Sequence, residues 1–159
     1  MALLSVGDKA PEVHAKDANG KDLSLSDLQG RWVLVYFYPK DDTPGCTAEA
    51  CALNDSLADL SECGADVIGV STQSDESHIK FRNKYGLRFA LAADTDGTIS
   101  KAYGTGKSLG ILPLAARVSF LVGTDGNIAH VWPHVNPGKH AAEVLETVKS
   151  LGEKAGAPA

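Results

Sequence analysis

Apolar positions fall into two rhythms along this chain. Short unbroken runs at residues 32–38 (Trp-Val-Leu-Val-Tyr-Phe-Tyr) and 118–122 (Val-Ser-Phe-Leu-Val) have the length and content of buried strands, as do residues 65–71 and 90–93. A helical rhythm links Ala48, Ala50, Ala52, Leu53, Leu57 and Leu60, which predicts one helix from residue 44 to 63 with Gly64 as its C′ stop. Residues 76–85 read as an amphipathic helix closed by Gly86, and residues 97–103 as a helical turn or two. Residues 139–151 read as a closing helix with Ala142, Val144, Leu145 and Val148 inward, followed by a frayed tail from 152 to 159. Two turn signals complete the pattern. Asn19-Gly20 predicts a hairpin within residues 12–25, and Thr124-Asp125-Gly126-Asn127 predicts one joining 117–122 to 128–132.

The order is therefore strand, helix, strand, helix, then a hairpin and a final helix. This predicts the α/β class: a thioredoxin-like fold with an N-terminal β-hairpin extension and a central mixed sheet flanked by helices. A flavodoxin-like doubly wound sheet is the alternative, and the hairpin before the last helix counts against it. With 159 residues, 43% of them hydrophobic, one domain with a real core is expected. A net charge of −5 argues against nucleic acid or an anionic membrane as partner. No apolar run approaches membrane-spanning length, and residues 1–6 are too short and uncharged for a signal peptide, so a cytoplasmic location is expected.

Three cysteines at positions 46, 51 and 63 then suggest reactive or buried thiols rather than a disulfide framework. Zinc is not expected, because the Cys46–Cys51 pair lacks a second pair at ligand spacing. Cys46 stands where a strand hands over to a helix, and a helix N-terminus favours a thiolate. Thr43 suits the N-cap and Pro44 the first helical position, which predicts a Thr43 side-chain oxygen approaching the N–H of residue 46. Gly45 is expected to leave open space for a substrate beside the backbone. Each of these residues alone has an ordinary explanation. The coincidence of Pro39, Thr43 and Cys46 at one turn, with Cys51 following, does not.

Those residues carry a resemblance. Pro39, Thr43 and Cys46 match the Pro-x-x-x-Thr-x-x-Cys pattern of peroxiredoxins. Residues 36–40 (Tyr-Phe-Tyr-Pro-Lys), 43–47 (Thr-Pro-Gly-Cys-Thr) and 49–51 (Glu-Ala-Cys) resemble the Q-type subfamily, also called bacterioferritin-comigratory proteins. Residues 117–122 are similar to the strand bearing that family's active-site arginine, and the likeness runs from about residue 5 to residue 150. The resemblance implies a thiol peroxidase acting on hydrogen peroxide and organic hydroperoxides. Cys46 would be the nucleophile and Cys51 the resolving thiol, joined as an intramolecular disulfide. Thr43, Gly45 and Arg117 would bind the peroxide, Pro39 would shield the pocket and Glu49 would orient the arginine. Thioredoxin or a glutaredoxin-like dithiol would be the reductant. No metal, flavin or haem is implied, and a monomer with at most a weak dimer is expected. Residues 103–116 depart from the family by their apolar character and are not readily matched.

Helix geometry adds one expectation of its own. Residues five apart on an α-helix have Cα atoms roughly 8.6 Å apart, whereas a disulfide wants about 7 Å or less. Cys46 and Cys51 thus cannot join while both are helical, and part of residues 44–54 must unwind. Cys63, roughly 25 Å further along the predicted helix, reads as a small residue near a helix end. Two rivals remain. A thiol-disulfide oxidoreductase on the same fold is disfavoured by the lack of Cys-x-x-Cys. A peroxide sensor or thiol-dependent chaperone is kept open by the apolar stretch at 109–116.

Overall fold

The computed structural model describes residues 3–109, 112–115 and 117–154. Among these described residues, nine strands run in chain order: β1 (His14–Lys16), β2 (Asp22–Ser24), β3 (Trp32–Phe37), β4 (Ala65–Ser71), β5 (Ala90–Ala93), β6 (Gly106–Leu109), β7 (Leu112–Ala115), β8 (Val118–Val122) and β9 (Ile128–Trp132). Five helices join them: α1 (Pro44–Asp55), α2 (Leu57–Glu62), α3 (Asp75–Tyr85), α4 (Thr98–Tyr103) and α5 (His140–Lys154). Seven strands form one mixed sheet in the order β2-β1-β5-β4-β3-β8-β9. Strands β3, β4 and β5 are mutually parallel, while β8 and β9 run antiparallel on one side and β1 and β2 on the other. The sheet is mixed and flanked by helices, as the sequence predicts.

Alternation along the strands sorts the core into two layers. Val33, Val35, Phe37, Ile68, Val70, Phe120 and Val122 face one side, where Tyr103 of α4 and Leu25 of a short 3-10 turn cover them. Leu34, Tyr36, Val67, Leu91 and Leu121 face the other, under Cys46, Ala50 and Leu53 of α1, Leu60 of α2, Phe81 of α3, and Val144 and Val148 of α5. Gly69 of β4 has no side chain on this second side because none fits: a Cβ would lie 2.9 Å from the Tyr36 ring and from Leu91.

Three expectations change. The helix predicted over 44–63 is two helices broken at Ser56, whose φ of −91° and ψ of 0° leave the helical region. The cause lies in side chains that tie down Asn54: its carboxamide bonds the backbone of Gly86 and Arg88, and its carbonyl accepts from the Arg88 guanidinium at 3.2 Å. The closing helix buries Ala141 rather than Ala142, which is exposed, and it continues through Gly152 to Lys154. The remainder of the predicted tail, residues 155–159, lies outside the described residues. Finally, within the unmatched stretch 103–116, β6 and β7 pair antiparallel as a separate two-stranded sheet; residues 110, 111 and 116 lie outside the described residues.

Candidate active site

Strand β3 ends in the sheet centre, and the turn at residues 38–43 carries the chain over the strand end into α1. Thr43 is the N-cap, with φ of −95° and ψ of 154°, and its carbonyl accepts from the Thr47 N–H at 2.8 Å. Its hydroxyl does not cap. It donates instead to the Lys40 carbonyl at 2.9 Å, so the predicted bond to the N–H of residue 46 is absent. The turn thus claims the hydroxyl before the helix can.

Cys46 sits in the first turn of α1, 1% exposed, within the apolar layer that includes Tyr36, Leu53 and Val144. Arg117, one residue before β8, reaches across to it. One guanidinium nitrogen, Nη2, donates to Cys46 Sγ at 3.3 Å, and the other, Nη1, donates to Glu49 Oε1 at 2.8 Å. A fixed positive charge at hydrogen-bond distance stabilises negative charge on the sulfur. Glu49 is fully buried, one turn along α1, and its Oε2 has no hydrogen-bond partner among the described residues. Burial outweighs the Arg117 ion pair and pushes the Glu49 carboxyl up to about 7.

Gly45 plays a different part from the one predicted. A Cβ on it would lie 3.0 Å from Arg117 Nη2 and 3.8 Å from Pro137, so its bare backbone admits the guanidinium rather than leaving open space. Pro39 is half-buried beside the site, and its carbonyl accepts from Gln73 Nε2 at 3.3 Å. Cys51 lies further along the same helix, half-buried and a free thiol; burial, and then Asp55, push its thiol up. Cys63 caps α2 with φ of −84° and packs at the edge of the same apolar layer.

The structure thus brings Cys46, Glu49, Arg117 and Gly45 into one cluster, with Pro39 and Thr43 on the adjoining turn. Residues 6–131 match the AhpC/TSA family. A putative peroxiredoxin bcp of Coxiella burnetii is 43% identical over 150 residues, covering 89% of this chain and 97% of its own. Peroxiredoxin Bcp of Bacillus subtilis is 38% identical over 159 residues, covering 95% and 99%. The chain belongs to the AhpC/TSA family, among the peroxiredoxins of the Bcp and Q type.

Solved peroxiredoxin structures agree in fold. A cysteine-to-serine variant of Xylella fastidiosa PrxQ superposes with a TM-score of 0.87 at 31% identity, over 96% of this chain and 99% of its own. The Xanthomonas campestris bacterioferritin comigratory protein, described for its alkyl peroxide reduction activity, gives 0.83 at 30% identity over 92% and 98%. The protein is accordingly a thiol-dependent peroxidase on a thioredoxin-like fold, and peroxiredoxin membership brings with it a peroxide substrate and a thiol reductant. Among the described residues, no helix is long and apolar enough to cross a membrane.

Sequence reasoning missed two groups beside this peroxiredoxin site. Tyr36 is 1% exposed, its hydroxyl has no hydrogen-bond partner among the described residues, and burial, then the nearby Glu49, hold the phenol well above its usual range. It stands on β3 with the strand's inward period, so only a face assignment for the strand could have marked it. Asp41 and Asp42 lie inside the motif itself, where a polar turn residue gives no sign of which partner it will find.

Proposed function

We propose that Cys46 is the peroxidatic nucleophile and Cys51 the resolving thiol of an intramolecular disulfide cycle. The Cys46 thiolate attacks one peroxide oxygen, the O–O bond breaks, and the other oxygen leaves as an alkoxide or hydroxide that takes up a proton. Sulfur is oxidised to the sulfenic acid and the peroxide is reduced. The observation that carries the reading is the forked Arg117, with one nitrogen on the Cys46 sulfur and the other on Glu49. The charge that stabilises the thiolate is thereby in place to stabilise charge developing on the departing oxygen.

Thr43 would serve through its lone pairs. Its hydrogen is committed to the Lys40 carbonyl, so the oxygen remains an acceptor for the peroxide O–H. Pro39 would keep water from the pocket. The Cys51 sulfur would then displace water from the sulfenic acid, closing the disulfide, and two-electron exchange with a dithiol protein such as thioredoxin would reopen it. Alkyl peroxide reduction by the Xanthomonas relative is the precedent for organic hydroperoxides as substrates.

The test is peroxide consumption coupled to a thioredoxin system. Cys46→Ser should abolish turnover and Cys63→Ser should leave it nearly intact. Cys51→Ser should react once with peroxide and then stall unless a small thiol is supplied. Retained turnover in Cys46→Ser would overturn the assignment. A peroxide-treated wild type that still carries three free thiols, by mass and thiol counting, would overturn the disulfide.

A further inference from the structure

A second polar cluster, buried behind the reactive turn, has no part in the chemistry above. Its centre is Asp41, 8% exposed. The carboxylate receives three bonds: from the Tyr38 hydroxyl at 2.6 Å, from the Ser77 hydroxyl at 2.7 Å and from His78 Nδ1 at 2.6 Å. Burial alone would raise this carboxyl, yet the bonds from His78, Tyr38 and Ser77 hold it below its usual range. The other face of His78 is fixed too, because Nε2 meets the Ala92 carbonyl of β5 at 3.0 Å. Both ring nitrogens therefore face acceptor oxygens, which fixes the ring between α3 and β5. The Asp41 N–H donates to Gln73 Oε1 at 2.9 Å, and the same carboxamide holds the Pro39 carbonyl and accepts from Ser71 at 2.5 Å.

The neighbouring residue is gripped as well. Asp42 has φ of 58°, the only positive φ outside glycine among the described residues, a conformation that costs a side-chain-bearing residue roughly 1 kcal/mol. Its carboxylate is held by Lys84 Nζ at 2.8 Å and the Tyr85 hydroxyl at 2.6 Å. The first and last turns of α3 thus each hold one aspartate of the turn that begins at Pro39 and ends at the α1 N-cap.

We propose that α3 is the mount of the peroxide-binding turn, with Asp41 and Asp42 as positioning residues that set Pro39 and Thr43 relative to Cys46. The proposal rests on the reading of Pro39 and Thr43 as pocket residues. Arg117, one residue before β8, bonds Cys46 directly and is itself held by Glu49 of α1, so the clamp should govern how a peroxide is held and leave the thiolate's reactivity alone. Two substitutions probe it from its two ends. Asp41→Asn keeps the size of the side chain but cannot accept all three bonds. Asp42→Gly removes the grip of Lys84 and Tyr85 while glycine adopts φ of 58° without strain, so the fold should survive.

The experiment measures two reactions of Cys46 in each variant: second-order oxidation by hydrogen peroxide, and alkylation by iodoacetamide, which needs the thiolate but no peroxide pocket. Peroxide attack should fall about tenfold, the scale of a sub-ångström misplacement, with the alkylation rate unchanged. A fall of less than fivefold in both variants, or a change of equal size in both reactions, would overturn the proposal. Cys46→Ser, run in parallel, separates this outcome from failure of the underlying reading, since residual oxidation there would implicate a different nucleophile.

Discussion

Arg117 holds two groups, the Cys46 sulfur and the Glu49 carboxyl, with one side chain, and its reach depends on what Gly45 lacks. Removing the charge by Arg117→Ala should slow peroxide attack about a hundredfold, the usual effect of deleting one preorganised donor. If stopped-flow rates were unchanged, Arg117 would be a structural partner of Glu49 alone. Gly45→Ala tests the same contact from the other side. Its Cβ would stand 3.0 Å from Nη2, and the guanidinium must shift by a few tenths of an ångström, so a smaller loss of attack rate should appear. Glu49 supplies a stability signature. Its carboxyl sits at about 7 in the fold against an ordinary 4.5, so the folded state holds a proton that the unfolded chain has released. That contribution is fully present below about pH 4.5 and is lost as pH rises through about 7. Urea midpoints at pH 5 and pH 8 should therefore differ less in Glu49→Gln than in the wild type.

Among the elements, α1 bears both cysteines, wound helically from Pro44 to Asp55 with Cys46 and Cys51 as free thiols. Closing a disulfide across roughly 8.6 Å of helix requires that turns be undone. The peroxide-oxidised protein should lose helical circular dichroism and gain amide exchange over residues 44–54, with the sheet strands unaffected, and reduction should restore both. Equal protection of 44–54 in the two states would rule the unwinding out. This requirement was legible before any coordinates, since the helix start at Pro44 and the spacing of the cysteines suffice for it. The strands β4, β5 and β9 were legible for a similar reason: apolar content, length and bounding turns agree. The break at Ser56 was not, because it comes from Arg88 and Gly86, over thirty residues away in sequence. Thr43 shows the same limit at one residue. Its place as N-cap follows from local chemistry, but the partner its hydroxyl chooses depends on how the preceding turn bends.

At the scale of the molecule, the sheet separates two apolar layers, and Cys46 lies in one of them. Cys46, Ala50 and Leu53 pack with Tyr36 and Leu121, while Val35, Ile68 and Phe120 pack on the far side with Tyr103. Ile68→Ala should lower stability by about 2–5 kcal/mol, as deletion of a fully buried branched side chain does, yet leave the peroxide rate per folded molecule unchanged. Denaturant melts and stopped-flow oxidation of the same preparation check both halves. The same wall decides how the protein tolerates its own chemistry. In the proposed cycle, drawing Cys46 toward Cys51 would withdraw a plug only from the layer that Cys46 shares with Leu53 and Val144, on one side of the sheet. The proposed cycle would in that sense be a one-sided opening. The far layer would then act as ballast, where substitutions such as Ile68→Ala should tune the lifetime of the enzyme without touching its rate.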